Sequence, residues 1–190
     1  MSLEGKTALV TGATRGIGQA IARALAAQGA EVIGTATSEA GAESITNDLQ
    51  SAGYKGYGMV MNVADPASIE TGLKTLTEKS GAPLILVNNA GITKDGLFVR
   101  MSDEDWNAVI GINLTAVFQL TRELTHPMMR RRHGRIINIT SIHEDWPMPG
   151  NTPYCLAKGG MRMLTRTAGV ELAPHNVLVV GVGPGAVATP

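Results

Sequence analysis

Residues 6–18 read KTALVTGATRGIG, a short apolar run (Lys6–Thr11) leading into a loop that carries Gly12, Gly16 and Gly18. An unbroken apolar run of this length suits a strand buried on both faces, as in a parallel sheet. A helix follows, with Ile17, Ile21, Ala24, Leu25 and Gln28 at helical spacing and Gly29 as its C-terminal stop. Glycines between a strand and a helix let the backbone approach a pyrophosphate, whose charge meets the helix N-terminus. A tight turn accounts for one glycine, not three. The spacing is Gly-x-x-x-Gly-x-Gly. It is therefore neither the G-x-G-x-x-G fingerprint nor a P-loop, which needs Gly-Lys-Ser/Thr.

The same strand-then-helix alternation repeats along the chain. Glu31–Thr37 reads as strand two and residues 39–52 as a helix around Ile45 and Leu49. Tyr57–Val63 is strand three. Asp65-Pro66 then opens a helix, with a capping carboxylate and proline at its first position. Pro83–Asn88 is strand four. Ser102 with Asp105 opens a long helix through Trp106, Val109, Ile110, Val117, Phe118 and Leu124, bent near Pro127. Arg135–Ser141 is strand five, residues 152–173 are another long helix, and Asn176–Val182 is strand six. Crossovers this long permit parallel pairing. The pattern predicts an α/β fold, a doubly wound, mostly parallel Rossmann-type sheet with six readable strands. No repeat or low-complexity linker marks a second unit, so residues 1–190 read as one domain.

Small or polar residues follow every strand: the glycine loop, Thr37-Ser38, Asn62-Val63, Asn88-Asn89-Ala90-Gly91, Ser141, and Pro184-Gly185. In doubly wound sheets ligands bind beyond the carboxyl ends of the strands, where strand order reverses. The predicted ligand is an adenine dinucleotide, with Thr14, Arg15 and Ile17 beside the loop glycines. An NAD site usually has an acidic residue near the end of strand two. Here that place reads Thr35-Ala36-Thr37-Ser38, with no carboxylate before Glu39, while Arg15 can meet a 2′-phosphate. Hydroxyls and an arginine suit NADP(H).

Composition narrows the function classes. Of the 190 residues, 44% are hydrophobic and 17% charged, an ordinary globular balance. Sixteen basic residues match sixteen acidic ones, so no net field favours nucleic acid or an anionic membrane. The run Arg130-Arg131-Arg132-His133 reads as a cationic helix C-terminus. The one cysteine, Cys155, leaves no internal disulfide and no multi-cysteine metal site. With no apolar signal core near Met1 and no membrane-length apolar stretch, the reading is a soluble cytoplasmic protein.

Ser141, Tyr154 and Lys158 lie within ITSIHEDWPMPGNTPYCLAK, residues 139–158. Tyr154 and Lys158 are four apart, so on a helix they share a face. A phenol titrates near ~10. To exchange protons near neutrality it needs a value lower by ~2–3 units, or roughly 3–4 kcal/mol. One cation at ~4 Å in an effective dielectric of ~20 supplies about that much. Ser141 can then hydrogen-bond a substrate oxygen while Tyr154 gives or takes its proton.

TGxxxGIG, NNAG and Ser-x12-Tyr-x3-Lys together resemble the short-chain dehydrogenase/reductase family, over essentially the whole chain. The resemblance implies an NADP-dependent oxidoreductase. Ser141 would orient the substrate oxygen, Tyr154 would be the acid/base, and Lys158 would tune it and bind the nicotinamide ribose. Asn113, in GINLTAVF, would support a water-linked proton relay. It further implies cofactor contacts from Asn62, Val63, Asn89, Ala90, Gly91, Pro184, Gly185, Val187 and Thr189. Family members typically continue with a lid, a helix and a seventh strand, which these 190 residues do not include. The helices at 102–131 and 152–173 resemble the family's four-helix contact and imply a homodimer or homotetramer.

Within the family, residues 1–140 resemble 3-oxoacyl-[acyl-carrier-protein] reductases, in GTATSEAGAESI, LVNNAGITKDGLFVRMSDEDWN and RRRHGRIINI. Beyond Ser141, SIHEDWPMPGNTPYCLAKGGMRMLT is closer to glucose 1-dehydrogenase-like members, which leaves a recombined chain open. The first resemblance implies fatty acid biosynthesis, with ketone reduction on an acyl carrier protein that docks at Arg132. The second basic docking position reads Pro174-His175-Asn176, a departure from that pattern. The alternative is a glucose or polyol dehydrogenase, with His143 and Glu144 either bonding substrate hydroxyls or forming a local ion pair. A non-catalytic NADP-binding sensor is a third reading. No metal is expected, since HEDWP lacks the second histidine of H-E-x-x-H.

Overall fold

The computed structural model describes residues 2–189; Met1 and Pro190, the two ends of the expected domain, lie outside the described residues. The elements are β1 (Thr7–Val10), α1 (Gly16–Ala27), β2 (Glu31–Ala36), α2 (Glu39–Ser51), β3 (Gly56–Val60), α3 (Pro66–Ser80) and β4 (Ile85–Asn88). Then come α4 (Asp103–Ile110), α5 (Ala116–Arg130), β5 (Gly134–Ile139), α6 (Thr152–Leu172) and β6 (Val177–Val182). The strands pair in parallel in the order β3-β2-β1-β4-β5-β6. Strand order therefore reverses between β1 and β4, and the ends of those two strands frame a crevice.

The apolar runs are buried on both faces, as parallel pairing requires. Leu9, Ile33, Leu86 and Ile136 face Leu76 of α3, Leu120, Leu124 and Met128 of α5, and Leu172 of α6. Val10, Val32 and Val87 face Ala22 and Ala26 of α1 and Ile45 and Leu49 of α2. At ~25 cal/mol per Å² of apolar surface, such side chains each contribute roughly 1.5–3 kcal/mol. On β6, Leu178, Val180 and Val182 remain about half exposed.

Side-chain caps start three helices. Ser38 Oγ accepts from Gly41 N–H at 3.2 Å, Asp65 Oδ1 from Ala67 N–H at 3.0 Å, and Ser102 Oγ from Asp105 N–H at 3.1 Å. Each cap is worth about 1 kcal/mol. Among the described residues no side chain caps α1, whose first turn also holds no acidic residue.

Two expectations shift. Strand three stops at Val60 rather than Val63, because Asn62 Oδ1 accepts from Ala64 N–H at 3.1 Å and closes a turn there. At Pro127, where a bend is expected, α5 continues as helix to Arg130. Pro127 falls in the last turn, where its missing N–H removes a single bond, to the Glu123 carbonyl. The irregularity lies earlier, as a π-helical turn at Gly111–Thr115 joining α4 to α5.

Among the described residues no helix is long and apolar enough to cross a membrane.

Candidate active site

Thr11, just past β1, ties the two halves of the sheet together. Its Oγ1 accepts from the Asn89 and Ala90 N–H groups at 2.9 and 3.0 Å. Asn89 Nδ2 answers by donating to the carbonyls of Thr11 and Gly12 at 2.9 and 3.1 Å. Thr35, buried in β2, accepts from Gly12 N–H at 3.2 Å. The glycine loop is thus fixed from both neighbouring strands. Gly16 has φ +57°, a left-handed conformation that disfavours other residues. Gly18 is a matter of space: a Cβ there would stand 2.5 Å from Asn89 Nδ2 and closer still to the Gly12 carbonyl. Thr11 was not singled out by sequence reasoning; the signal was a hydroxyl at the end of an otherwise apolar strand.

Two clefts flank this loop. One, of about 250 Å³, is lined by Gly12, Thr14, Thr35, Ala36, Thr37, Ser38, Met61, Val63 and Ala90. The other, of about 330 Å³, brings together Ile17, Asn89, Gly91, Asn113, Ser141, Tyr154, Lys158, Pro184 and Gly185, along with Ile92, Thr93, Ile139 and Thr140. A groove beside α1 adds Gly16, Val187 and Thr189. Arg15, Gly18 and Asn62 line none of these. Arg15 is exposed at the N-cap of α1, and Asn62 is exposed with its Oδ1 engaged in its own turn.

The larger cleft holds the ionisable pair. Lys158 is 4% exposed, and its Nζ donates to the Ile139 carbonyl at 2.8 Å. Burial lowers it from 10.5 to about 8, against an opposing pull from the charge of Glu144. Its Nζ lies 5.5 Å from the Tyr154 ring centroid, as the four-residue spacing predicts. Ser141 Oγ accepts from His143 N–H at 3.2 Å and so points into the turn that starts there.

Asn113 sits on the π-helical turn and is fully buried. Its Nδ2 donates to the carbonyls of Ile92 and Val109 at 2.8 and 2.9 Å, while its Oδ1 has no partner among the described residues. A buried acceptor left free at a cleft wall marks a place for a donor.

These features fit a dinucleotide. The N-terminus of α1 offers uncapped N–H groups beside a loop in which Gly12, Gly16 and Gly18 carry no side chain. Thr37 and Ser38 line the smaller cleft and are exposed, with no carboxylate before Glu39, and Arg15 is exposed at the start of α1. Among the described residues no group of three or more His, Cys, Asp or Glu could hold a metal ion.

A family model described as short chain dehydrogenase matches residues 6–190. The 3-oxoacyl-[acyl-carrier-protein] reductase FabG of Escherichia coli K12 is 49% identical over 189 residues, covering 100% of this chain and 76% of that protein. Nodulation protein G of Rhizobium sp. strain N33 is 51% identical over 187 residues, covering 96% and 74%. Among solved structures, a gluconate 5-dehydrogenase from Burkholderia cenocepacia J2315, in complex with NADP and tartrate, superposes with a TM-score of 0.92 at 34% identity, covering 97% of this chain and 72% of that one. A metagenomic short-chain oxidoreductase in complex with NADP gives 0.93 at 34% identity, covering 98% and 85%. Carrying the glycine loop, the reversed strand order and the Ser-Tyr-Lys cleft, and matched by the family model over residues 6–190, this chain belongs to the short-chain dehydrogenase family.

Proposed function

We propose that this chain is an NADP-dependent ketone reductase whose substrate is a 3-oxoacyl group carried as a thioester on an acyl carrier protein. The observation that carries the reduction chemistry is the convergence of Ser141, Tyr154, Lys158 and Asn113 on one cleft. The 3-oxoacyl substrate is supported by near-half identity to FabG across the chain.

NADPH, when bound, would supply the hydride that the carbonyl carbon takes up. Gly12, Gly16, Gly18 and the α1 N-terminus would hold its pyrophosphate, Thr37, Ser38 and Arg15 its 2′-phosphate, and Lys158 with Pro184 and Gly185 its nicotinamide end. The Ser141 hydroxyl orients the carbonyl oxygen, and the Tyr154 phenol gives that oxygen its proton, so ketone becomes secondary alcohol. The Lys158 ammonium stabilises the phenolate left behind. The free Asn113 Oδ1 would hold a water, by accepting from it, whose proton returns to Tyr154 through Lys158. Residues 1–190 act as a single domain in this reading.

Arg132 lies before β5 and Ser141 after it, so the two stand at opposite ends of that strand. The six residues of β5 at ~3.3 Å each put them roughly 20 Å or more apart. A carrier docked at Arg132 therefore contacts its own chain far from the cleft. Phe118 on α5 and Leu156, Met163 and Val170 on α6 are exposed, which supports a helix-to-helix dimer or tetramer contact.

A polyol substrate has one observation in its favour. His143 Nδ1 donates to the Trp146 carbonyl at 2.9 Å, which leaves Nε2 as an acceptor near Tyr154 for a substrate hydroxyl. The deciding experiment compares NADPH oxidation with a 3-oxoacyl thioester against NADP reduction with gluconate or glucose. Thioester turnover is expected; polyol turnover without it overturns the substrate assignment.

A further inference from the structure

The residues after Ser141 fold onto the helix that carries Tyr154 and Lys158. Ile142–Glu144 form a 3-10 turn, with Glu144 N–H donating to the Ser141 carbonyl at 3.0 Å. On α6, Tyr154, Lys158 and Arg162 recur every four residues and form one ridge. The turn follows that ridge. His143 meets Tyr154 edge-on with ring centroids 6.3 Å apart, and Asp145 pairs with Arg162. Glu144 lies between them, its Oε1 3.8 Å from Arg162 Nε. The turn lies against α6 at Gly159, where a Cβ would stand in ordinary contact, 3.5 Å from the Glu144 carbonyl oxygen.

Glu144 Oε2 is buried and has no hydrogen-bond partner among the described residues. A carboxylate oxygen in that position needs nearby positive charge. Arg162 is shared with Asp145, and Lys158 is the other cation of the ridge. Glu144 is the group whose charge opposes the lowering of Lys158 by burial.

The remaining charges around Lys158 are accounted for. On α6 itself stand Tyr154, Cys155, Arg162, Arg166 and Glu171, and the turn adds His143, Glu144 and Asp145. The π-helical turn and β6 carry no titratable side chain. On α4, Asp103 and Glu104 are exposed and Asp105 pairs with Lys94. On α5, Arg122 pairs with Glu123, while His126 and Arg130 lie further along. Arg135 opens β5 at its opposite end, and His175 follows the far end of α6.

We propose that Glu144 is a positioning residue: its carboxylate, steadied by Arg162, is the counter-charge to the buried Lys158 ammonium and pins the turn that links Ser141 to Tyr154. This rests on the reading of Tyr154 and Lys158 as the acid/base pair. It gives Glu144 a place in the reaction without contact to substrate.

The test follows Lys158 directly, in the free protein, through its 13Cε resonance in lysine-labelled chain assigned with Lys158→Met. In Glu144→Gln its titration midpoint is expected to fall by about one pH unit, the size of one neighbouring charge. The alkaline limb of turnover falls with it, so activity at pH 8.5 drops roughly tenfold while activity at pH 6.5 stays within about twofold. Glu144→Asp restores most of both. Glu144→Ala is measured alongside, so that either neutral variant suffices if the other does not fold. An unchanged Lys158 titration in a folded neutral variant overturns the proposal, as does a loss of activity equal at every pH. Wild-type chain inactive on every carbonyl tried would instead sink the catalytic reading, and the lysine titration would still report on Glu144.

Discussion

The Lys158 ammonium donates to the Ile139 carbonyl at 2.8 Å, fastening the first half of α6 to the end of β5 and holding a buried cation beside Tyr154. Below pH 8 the folded and unfolded chains both keep the lysine proton, and the fold carries the full cost of the buried charge. Between about 8 and 10.5 the folded lysine releases its proton while the unfolded one keeps it, so stability rises with pH across that window. The lowering corresponds to roughly 3 kcal/mol. Relative to Lys158→Met, wild type should therefore gain up to about 3 kcal/mol between pH 7 and pH 10 in urea unfolding. A gap that is constant with pH would contradict the lowered lysine.

Tyr154→Phe removes one oxygen and keeps the ring that packs edge-on with His143. Turnover should fall by at least ~10²–10⁴-fold, the usual range for losing a general acid. Dinucleotide affinity, measured by fluorescence titration, should stay within about threefold. Retention of substantial turnover would rule out Tyr154 as the proton donor, and lost affinity would mark it as a binding residue.

Gly18→Ala puts a methyl against Asn89 Nδ2 and the Gly12 carbonyl, which are bonded to each other, with Asn89 Nδ2 also donating to the Thr11 carbonyl. Overpacking of this kind costs about 1–3 kcal/mol. The urea midpoint should drop accordingly, and dinucleotide binding should weaken at least ~10-fold as the loop is forced open. A variant as stable and as tight-binding as wild type would refute the close packing described.

Thr37→Asp places a carboxylate on the exposed loop after β2, at the outer end of the 250 Å³ cleft. A carboxylate repels a 2′-phosphate and holds a 2′-hydroxyl. The ratio of kcat/KM for NADPH over NADH should reverse. An unchanged ratio would move the discriminating contact elsewhere.

Asn138→Ala cuts a buried chain of hydrogen bonds under the site. Asn88 Nδ2 donates to Asn138 Oδ1 at 2.8 Å, and Asn138 Nδ2 donates to Thr165 Oγ1 at 2.8 Å. Losing both leaves Asn88 Nδ2 with only a 3.4 Å bond to Thr121 and Thr165 Oγ1 with only its bond to the Met161 carbonyl, and unfolding free energy should fall by about 1–3 kcal/mol. A loss under about 0.5 kcal/mol would mean that the network contributes little.

The strands were legible because double burial makes them apolar runs, and the cleft because small and polar residues follow each run. Ser141, Tyr154, Lys158 and Asn113 meet in one cleft because spacing on a helix and position after a strand are local properties that a sequence records. The Asn88–Asn138–Thr165 chain was not legible. It joins residues up to 50 apart, and an asparagine inside an apolar strand gives no sign of its partner. Glu144 was seen as a neighbour of the reaction centre, but its approach to Arg162 depends on how the turn lies on α6. The π-helical turn left no mark, because one extra residue in a helix barely disturbs the spacing of Trp106, Val109, Val117 and Leu124.

That turn behaves as a single-residue insertion. A π-turn holds one more residue than an α-turn, so the helices on either side keep the faces an uninterrupted helix would present. Excising Ile112 alone should let the segment close into regular α-helix, with Val109 and Leu120 still facing the core. The bulge that presents Asn113 to the cleft would vanish with it. The chemistry at this wall is thus separable from the architecture by deleting one amino acid.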